Sequence, residues 1–592
     1  MNLFRPLLIK LPVLLVFILP LLLILPTSQV ASVETEDVLR IARLYSAAFD
    51  RQPRVDGLNF WVDKYEDGSP LTEIAKQFVS SPEFVEKYGP LSDKQYVEQL
   101  FLNVLGRPGR DAGIEFWTDN LSKGTSREKV LMEFADSTEN VEKTSSTLAY
   151  MRLCGREWSF ANGTQMTTEM VKDLAPGDKS SLPWNLIDYK NYLYFTAEDG
   201  LAALLRSDGT NEGTGLFKTF APDQWGADPG AFAIASGKFF FRGTDYTHGT
   251  ELWASIGTPE DTKMTRDIWS GVSRGLLSSP MPFKNGVLII ADDGESGPQF
   301  WTSDGTEAGT SRFEDKAIST DAKARNFWRF GDSWLFNSTD AVHGAELWST
   351  NGMEGASKLV KDTIPGPTGG FSSGPFSFAQ LNSVGVFWVW KENADELWIT
   401  DGTEIGTQMF WTLPSGLTPD YKLIRYQNMV LFFAEDSNGD WSLWRTDGTD
   451  TGTKILKKGF LDLAKSYMEY DGFLYLTLMT RDRVSGNEIW RTDGTEAGTQ
   501  LFVDLNPGPS SSSPSDFTCY AGQLYFVATD GVLGEELYRT DGTPYGTELV
   551  SDINLGSADS TPNQLTVSHG ALFFDAYEPV SGRELYKTTM HP

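Results

Sequence analysis

The sequence predicts a mainly β fold: a multi-bladed β-propeller of about nine four-stranded repeats, preceded by a small all-α module. Three observations predict it. An Asp-Gly-Thr marker recurs along the C-terminal part of the chain at intervals of about 47 residues. Each interval holds four short alternating apolar segments bounded by Gly, Pro and Asp turns, which is the arithmetic of a propeller blade. The segment before this array has apolar residues at helical spacing and a period of its own, 56 residues.

Composition limits the function. With 50 Lys+Arg against 80 Asp+Glu in 592 residues, the formal charge is −30, so a nucleic-acid backbone or an anionic lipid surface would be repelled. The chain has two cysteines, Cys154 and Cys519, and four histidines, His248, His343, His569 and His591. That is too few for a disulfide framework, a Cys-rich zinc site or haem attachment. The 18 Trp, 20 Tyr and 37 Phe, with 56 Gly and 29 Pro, suit many short strands joined by turns.

Residues 1–32 read as a signal peptide. Arg5 and Lys10 precede an apolar run from Leu11 to Pro26, and small residues follow at Val30-Ala31-Ser32. The run is short for a permanent span and carries Pro12, Pro20 and Pro26. Cleavage near Ser32 is the first expectation and an uncleaved anchor the alternative. Either way the remainder is expected to be exported, to the periplasm, the cell surface or the medium, with no membrane span after cleavage.

Residues 33–145 form the helical module. Arg51/Arg107, Gly57/Gly113, Trp61/Trp117 and Phe78/Phe134 are each 56 residues apart, an internal duplication. Each copy reads as an apolar-periodic helix, an Arg-containing Pro turn, a second helix opened by Gly-x-x-Phe-Trp, and a third helix. The third helix is announced by Ser69 as N-cap with Pro70 at the first helical position, and in the second copy by Thr125-Ser126-Arg127-Glu128 at capping-box spacing. Trp61 and Trp117 lie at helical spacing beside Phe60 and Phe116 and read as core, with sugar stacking as the other reading. The strings Asp50-Arg51-Gln52-Pro53, Asp56-Gly57-Leu58-Asn59-Phe60-Trp61 and Ser81-Pro82-Glu83-Phe84 resemble the domain of unknown function 4214. That resemblance implies an exported, often calcium-rich or surface-layer-associated bacterial setting and no assigned chemistry. Asp50 stands where the family usually has Gly, as Gly106 does in the second copy, a departure that concerns the turn alone.

After a linker at 146–164, the array occupies 165–592. Its marker positions are Asn162, Asp208, Ile256, Asp304, Asn351, Asp401, Asp447, Asp493, Asp541 and Thr589. Before most of them stands a Glu-Leu-Trp element, as at Glu251-Leu252-Trp253, Glu346-Leu347-Trp348, Glu396-Leu397-Trp398 and Glu488-Ile489-Trp490. Gln299-Phe300-Trp301 and Ser442-Leu443-Trp444 are variants, and Tyr replaces Trp in the last two. One unit, Thr495 to Asp541, reads as strands at Gln500–Leu505, Ser515–Tyr520, Gln523–Val527 and Glu536–Arg539, so nine units close a ring or nearly so. These features resemble the ELWxxDGT repeat proteins, which are large, exported, bacterial and propeller-like; the resemblance implies no defined activity.

Two sets of residues read as structural. Trp253, Trp301, Trp348, Trp398, Trp444 and Trp490 are expected to fill the space between blades. Asp208, Asp304, Asp401, Asp447, Asp493 and Asp541 are expected to accept backbone N–H groups in the tight turn, with the next Gly supplying a positive φ. A second acidic series, Asp245, Asp293, Asp340, Asp436, Asp482, Asp530 and Glu578, falls at the opposite end of each blade. It offers an oxygen-rich ring for calcium or, without EF-hand spacing, ordinary turn chemistry.

Residues off the repeat consensus are the candidates for ligand contact: Asp223, Trp225, Trp328, Trp334, Trp388, Trp390 and Trp411. Gly271-Val272-Ser273-Arg274-Gly275 matches a nucleophile-elbow string but aligns with the Pro-Gly-x-Ser-Ser loop of the repeat, so Ser273 reads as a loop residue. His248 and His343 precede Gly in equivalent turns and read as turn residues. A Cys154–Cys519 disulfide, tying the linker to the eighth unit, stays open because nothing in the spacing sets their distance. The chain is expected to be a non-enzymatic exported binding, adhesion or matrix protein presenting a propeller face to a glycan or a cell-surface protein. The alternatives are a carbohydrate-active hydrolase or lyase with an acidic central channel, and a self-associating surface-layer component.

Overall fold

The computed structural model describes residues 35–140 except 50–59, 63, 66–68, 106–107 and 138–139, and residues 165–591 except 198–201, 222–228, 314–323, 354, 368–374, 392–393 and 464–465. The expected signal segment at 1–32 and the linker at 146–164 lie outside the described residues.

In the helical module, Thr35–Phe49, Leu71–Val79, Pro82–Tyr88, Asp93–Leu100, Asp111–Ser122 and Arg127–Ala135 pack around one apolar core. Local chemistry sets their starts. Ser81 caps Pro82–Tyr88 by accepting the Phe84 N–H at 3.1 Å, and Ser92 with Gln95 makes a reciprocal capping box before Asp93–Leu100. The caps expected for the other two helices are corrected. Pro70, extended at ψ 152°, is itself the N-cap of Leu71–Val79, since that backbone lies outside the helical region, and no side chain caps this end. Ser126 is the N-cap of Arg127–Ala135 without a side-chain bond.

Leu71–Val79 and Arg127–Ala135 are offset by 56 residues, and aromatic packing repeats at the same offset. Phe78 meets Tyr45 at 5.2 Å and Trp61 at 4.9 Å; Phe134 meets Phe101 at 5.0 Å and Trp117 at 5.5 Å. Trp61 and Trp117 pack on the core, while Phe60 and Phe116 are exposed. The buried Asn103 sits in a π-helical turn, Phe101–Leu105, and its amide donates to the carbonyls of Ala47 and Ala48 and to the Tyr88 hydroxyl, joining the two halves.

Nine antiparallel blades follow along the chain and form a ring. In the eighth, the strands are Ser515–Tyr520, Gln523–Ala528, Glu536–Thr540 and Glu548–Ser551, in that order across the sheet. This corrects the phase of the repeat read from sequence. The strand after each Asp-Gly-Thr turn belongs to the blade before it: Gln500–Val503 pairs with Asn487–Thr492, not with Ser515–Tyr520. A tight turn returns the chain to the strand it has just left, so the Asp-Gly-Thr hairpin lies inside a blade and the Pro-Gly-x-Ser-Ser loop crosses to the next. In the sixth blade the first strand is split into Leu417–Pro419 and Ile424–Tyr426.

The same phase closes the ring. Gln165–Lys172 pairs antiparallel with Gly582–His591 and becomes the outer strand of the ninth blade, whose other strands come from the C-terminal end of the array. Closure seats the ninth blade against the first and leaves only the short edges of the outer strands. First strands of successive blades run side by side, Asn563–Ser568 next to Trp184–Tyr189 and Trp184–Tyr189 next to Gly230–Ala235, and so surround the axis. Equivalent residues of these strands adopt positive φ, Asn185 at 56°, Asp516 at 54° and Gln564 at 59°. The bulge turns their side chains toward the next blade: Gln564 Oε1 accepts the Asn185 N–H at 2.6 Å and Asp516 Oδ2 accepts the Leu565 N–H at 3.3 Å.

The recurring Trp fills the inter-blade core. Trp301, Trp348, Trp398, Trp444 and Trp490 are buried, each among residues of its own and the preceding blade, and Trp253 packs edge-on to Phe220 at 4.9 Å. Leu205, which replaces the aromatic in the first blade, lies in the core shared with the ninth blade. A basic residue two positions before the marker adds a polar link around the ring. Arg445 donates to the Gly494 carbonyl at 2.8 Å, Arg491 to Gly542 at 3.1 Å and Lys587 to Gly209 at 2.8 Å, each reaching the next blade.

Candidate binding face

Alternating strand direction gives the ring two faces. The first carries the hairpin between first and second strands and the Asp-Gly-Thr turns. At each of Asp208, Asp304, Asp401, Asp447, Asp493 and Asp541, Oδ1 accepts the N–H and hydroxyl of the Thr two residues on, at 2.9 Å and 2.6 Å for Asp493 and Thr495. Thr495 Oγ1 then accepts the Gly498 N–H, and Gly494 holds φ 81°. The turn consumes the carboxylate.

The second face carries the turns between second and third strands and the loops to the next blade. Here stands the second acidic series, and each member of it is also bound by its own turn. Asp530 accepts from the N–H groups of Val532 and Leu533, Asp482 from Val484 and the Thr480 hydroxyl, and Asp436 from Asn438 and Asp440. Asp293 accepts from Glu295, Ser296 and the Arg312 guanidinium. Asp245 and Asp340 bond the backbone and ring Nδ1 of His248 and His343, with Nδ1 to Oδ2 distances of 2.9 Å and 2.8 Å. Hydrogen bonding to Asp245 raises His248 above the usual imidazole range, and Asp340 does the same to His343. Burial works to raise Asp245 and Asp340, but their hydrogen bonds from the histidines and the turn backbone hold both below the usual carboxylate range. Among the described residues no group of three or more His, Cys, Asp or Glu is placed to hold a metal ion.

These turns fix backbone and leave one side chain outward. In the acid-x-Val-x-Gly form, with Asp in three cases and Glu578 in the fourth, that side chain is Val342, Val484, Val532 or Val580, 66–77% exposed. Three of the four occupy consecutive blades, seven to nine, and Leu555 on the intervening loop is exposed with them.

The loops between blades are clamped from below by the Glu of Glu-Leu-Trp, a role the sequence reading missed. Glu488 is fully buried and accepts from the backbone of Leu505 and Ser512 and from the Ser512 hydroxyl. Glu536 does so with Ile553, Asn554 and Ser560, Glu584 with Leu174 and Ser181, and Glu346 with Thr363 and Ile364. Burial pushes Glu346 and Glu488 up to about 7 and Glu251 to about 8, against the downward pull of these bonds. The pairing was readable in principle, since the same units carry both the Glu and the Ser of the loop.

Three of the tryptophan candidates are buried. Trp334, Trp388 and Trp411 are core residues, with Trp388 and Trp411 both packed on Phe432 of the next blade. Their repeat positions face a neighbouring sheet, so at these off-consensus positions a larger ring fills the space between blades. Trp328 is half-buried on Phe378 at 5.6 Å, and Trp390 is half-buried. Asp223 and Trp225 lie outside the described residues. Ser273 sits in the loop between the second and third blades, with no helix after it. Cys519 is disulfide-bonded, and the one other cysteine of the sequence, Cys154, lies outside the described residues. Trp184, Asp575 and Arg583, also missed, meet on this face where the ninth blade adjoins the first, lining a cavity of about 230 Å³ with Leu182 and Pro183.

Among the described residues no helix is long and apolar enough to cross a membrane. No curated protein matches the sequence. Solved structures similar to the chain include a puromycin hydrolase (10% identity, 59% of this chain and 58% of that one, TM-score 0.30) and a Mycobacterium tuberculosis puromycin-hydrolyzing peptidase (11%, 59% and 58%, TM-score 0.33). A prolyl endopeptidase is similar at 13% identity over 59% of this chain and 54% of that one, TM-score 0.34. The match thus spans less than two thirds of each of these proteins. Residues 75–144 match the family model of a domain of unknown function, DUF4214.

Proposed function

We propose that the protein is an exported, non-enzymatic binding or adhesion protein that presents the loop face of its propeller to a component of the cell surface. The observation that carries this reading is the run of exposed valines on that face. The turn bonds of Asp482 and Asp530 need only the backbone of Val484 and Val532, so an apolar side chain there has no internal role, yet it recurs and is joined by Leu555 and Val580. Exposed apolar groups repeated on one face of a rigid, clamped scaffold suit an interaction site. The duplicated helical module would serve as a docking or assembly unit, with Phe60 and Phe116 exposed at equivalent positions. Export rests on the leader-like residues 1–32.

The test is sedimentation of the purified chain with isolated envelope material from the organism that makes it. Replacing Val484, Val532, Leu555 and Val580 by Ser is expected to abolish co-sedimentation. Replacing Ile405 and Tyr545, exposed on the opposite face, is expected to leave it intact. Equal binding by both variants would reject the loop face as the binding face.

A further inference from the structure

The cavity between the ninth and first blades departs from the repeat in every residue that gives it character. Trp184 opens the first strand of the first blade; the equivalent residues two other blades show are Ser515 and Asn563. Asp575 takes a position held by Val527 and Thr477, and Arg583 one held by Glu535 and Asn487. Trp184 is 38% exposed, and among the described residues it is the tryptophan most open to solvent. Every tryptophan of the repeat motif itself is packed against a neighbouring blade, so an indole left open beside a cavity is not explained by the architecture.

The polar side of the cavity is rigid and electrically balanced. Arg583 Nη1 donates to Asp575 Oδ2 at 2.5 Å and to the Thr561 carbonyl at 2.9 Å, and Nη2 reaches the Thr561 hydroxyl. Asp575 also accepts from Gln564 Nε2 at 3.3 Å, and Gln564 bonds the backbone of Asn185 in the next blade. The Asp575 and Arg583 side chains are 5% and 20% exposed, so their orientation is set before any ligand arrives. The paired charges cancel, which removes the attraction for a free anion or cation while keeping hydrogen-bond donors and acceptors at the wall. An aromatic ring sharing a cavity with a neutral donor–acceptor pair suits a molecule with one C–H face and a rim of hydroxyls. The volume, about 230 Å³, lies below the roughly 300–1,000 Å³ of sites for larger ligands and fits a single ring.

We infer that Trp184, Asp575 and Arg583 form a subsite for one residue of a neutral saccharide. The inference rests on the reading of the loop face as a binding face, and it names a ligand class for one point on it. The indole stacks on the sugar ring, while Asp575, held in place by Arg583, accepts from its hydroxyls.

The experiment is a titration of the full chain with neutral oligosaccharide probes, the hexamers of glucose in α-1,4 and β-1,4 linkage and of N-acetylglucosamine, followed by ligand-observed NMR. One probe is expected to bind the wild type, and W184A is expected to weaken it roughly tenfold or more with an unchanged melting temperature. W184F, which keeps a stacking ring, is expected to recover most of the affinity. Binding that W184A leaves untouched would overturn the subsite. Absence of binding by all three probes would overturn the saccharide assignment, and envelope co-sedimentation that survives in W184A separates that failure from failure of the face itself.

Discussion

Glu488 and Ser512 stand 24 residues apart and bond twice, Oε1 accepting the Ser512 N–H at 2.7 Å and Oε2 the Ser512 hydroxyl. The acid stands at the start of one blade's third strand and the serine near the end of the loop into the next, so one side chain holds the crossing. Replacing Glu488 by Ala leaves the N–H groups of Leu505 and Ser512 without their acceptor beneath the loop. The expected cost is about 2–4 kcal/mol in chemical denaturation, since each orphaned buried donor costs about 1–3 kcal/mol. A loss under 0.5 kcal/mol would mean that the loop holds itself.

The buried acids set a pH dependence with a definite sign. Glu251, Glu346 and Glu488 are raised to about 8, 7 and 7 from an ordinary value of 4.5, principally by burial, so the folded chain holds protons that the unfolded chain has released. Their stabilisation is complete below the ordinary value and is lost as pH rises through 7–8. His248 and His343, raised by Asp245 and Asp340, act in the same direction above the usual imidazole range. The melting temperature is therefore expected to fall between pH 5 and pH 8, and the triple variant with Gln at 251, 346 and 488 to show a flatter profile by calorimetry.

Trp490 and Trp184 differ in what their removal does. Trp490 is buried against Phe460 of the preceding blade at 5.3 Å, so W490A leaves a cavity and is expected to cost about 3–5 kcal/mol. W184A removes an open ring and is expected to change stability by less than about 0.5 kcal/mol. Urea titration of the two variants checks both values.

Ring closure rests on one strand. Thr168 faces Thr588, with their hydroxyls 2.9 Å apart, and Glu169 faces Lys587. Successive N–H groups of a strand point to opposite sides, so proline at both 168 and 169 must remove one bond to Gly582–His591. The double variant is expected to melt earlier and to self-associate, because an exposed edge recruits another chain. Light scattering against concentration measures it.

The repeat itself was legible in the sequence because each blade must solve the same problem. A turn needs its Asp and Gly, an inter-blade space needs its Trp, and both recur at about 47 residues. The start of Leu71–Val79 was readable to within one residue, limited by Pro70, whose extended backbone makes it a cap and not a first helical residue, whereas Asp111–Ser122 starts two residues before the Gly113 expected to open it. Which strand belongs to which blade was not legible, since the linear repeat can be cut at any phase and only hydrogen-bond pairing places Gln500–Val503 with its predecessor. The same holds for Gln165–Lys172, whose partner is more than four hundred residues away.

Sequence alone thus determined the local solutions: turn chemistry, strand period, a blade number of about nine and a strongly acidic composition. Tertiary structure decided everything that depends on neighbours in space. It buried Trp334, Trp388 and Trp411, left Trp184 open, and brought Asp575 and Arg583 from the last blade to the first strand of the first. The physical reason is that backbone turns and strands are satisfied within a few residues, whereas burial and charge pairing are set by whichever sheet the closed ring places alongside.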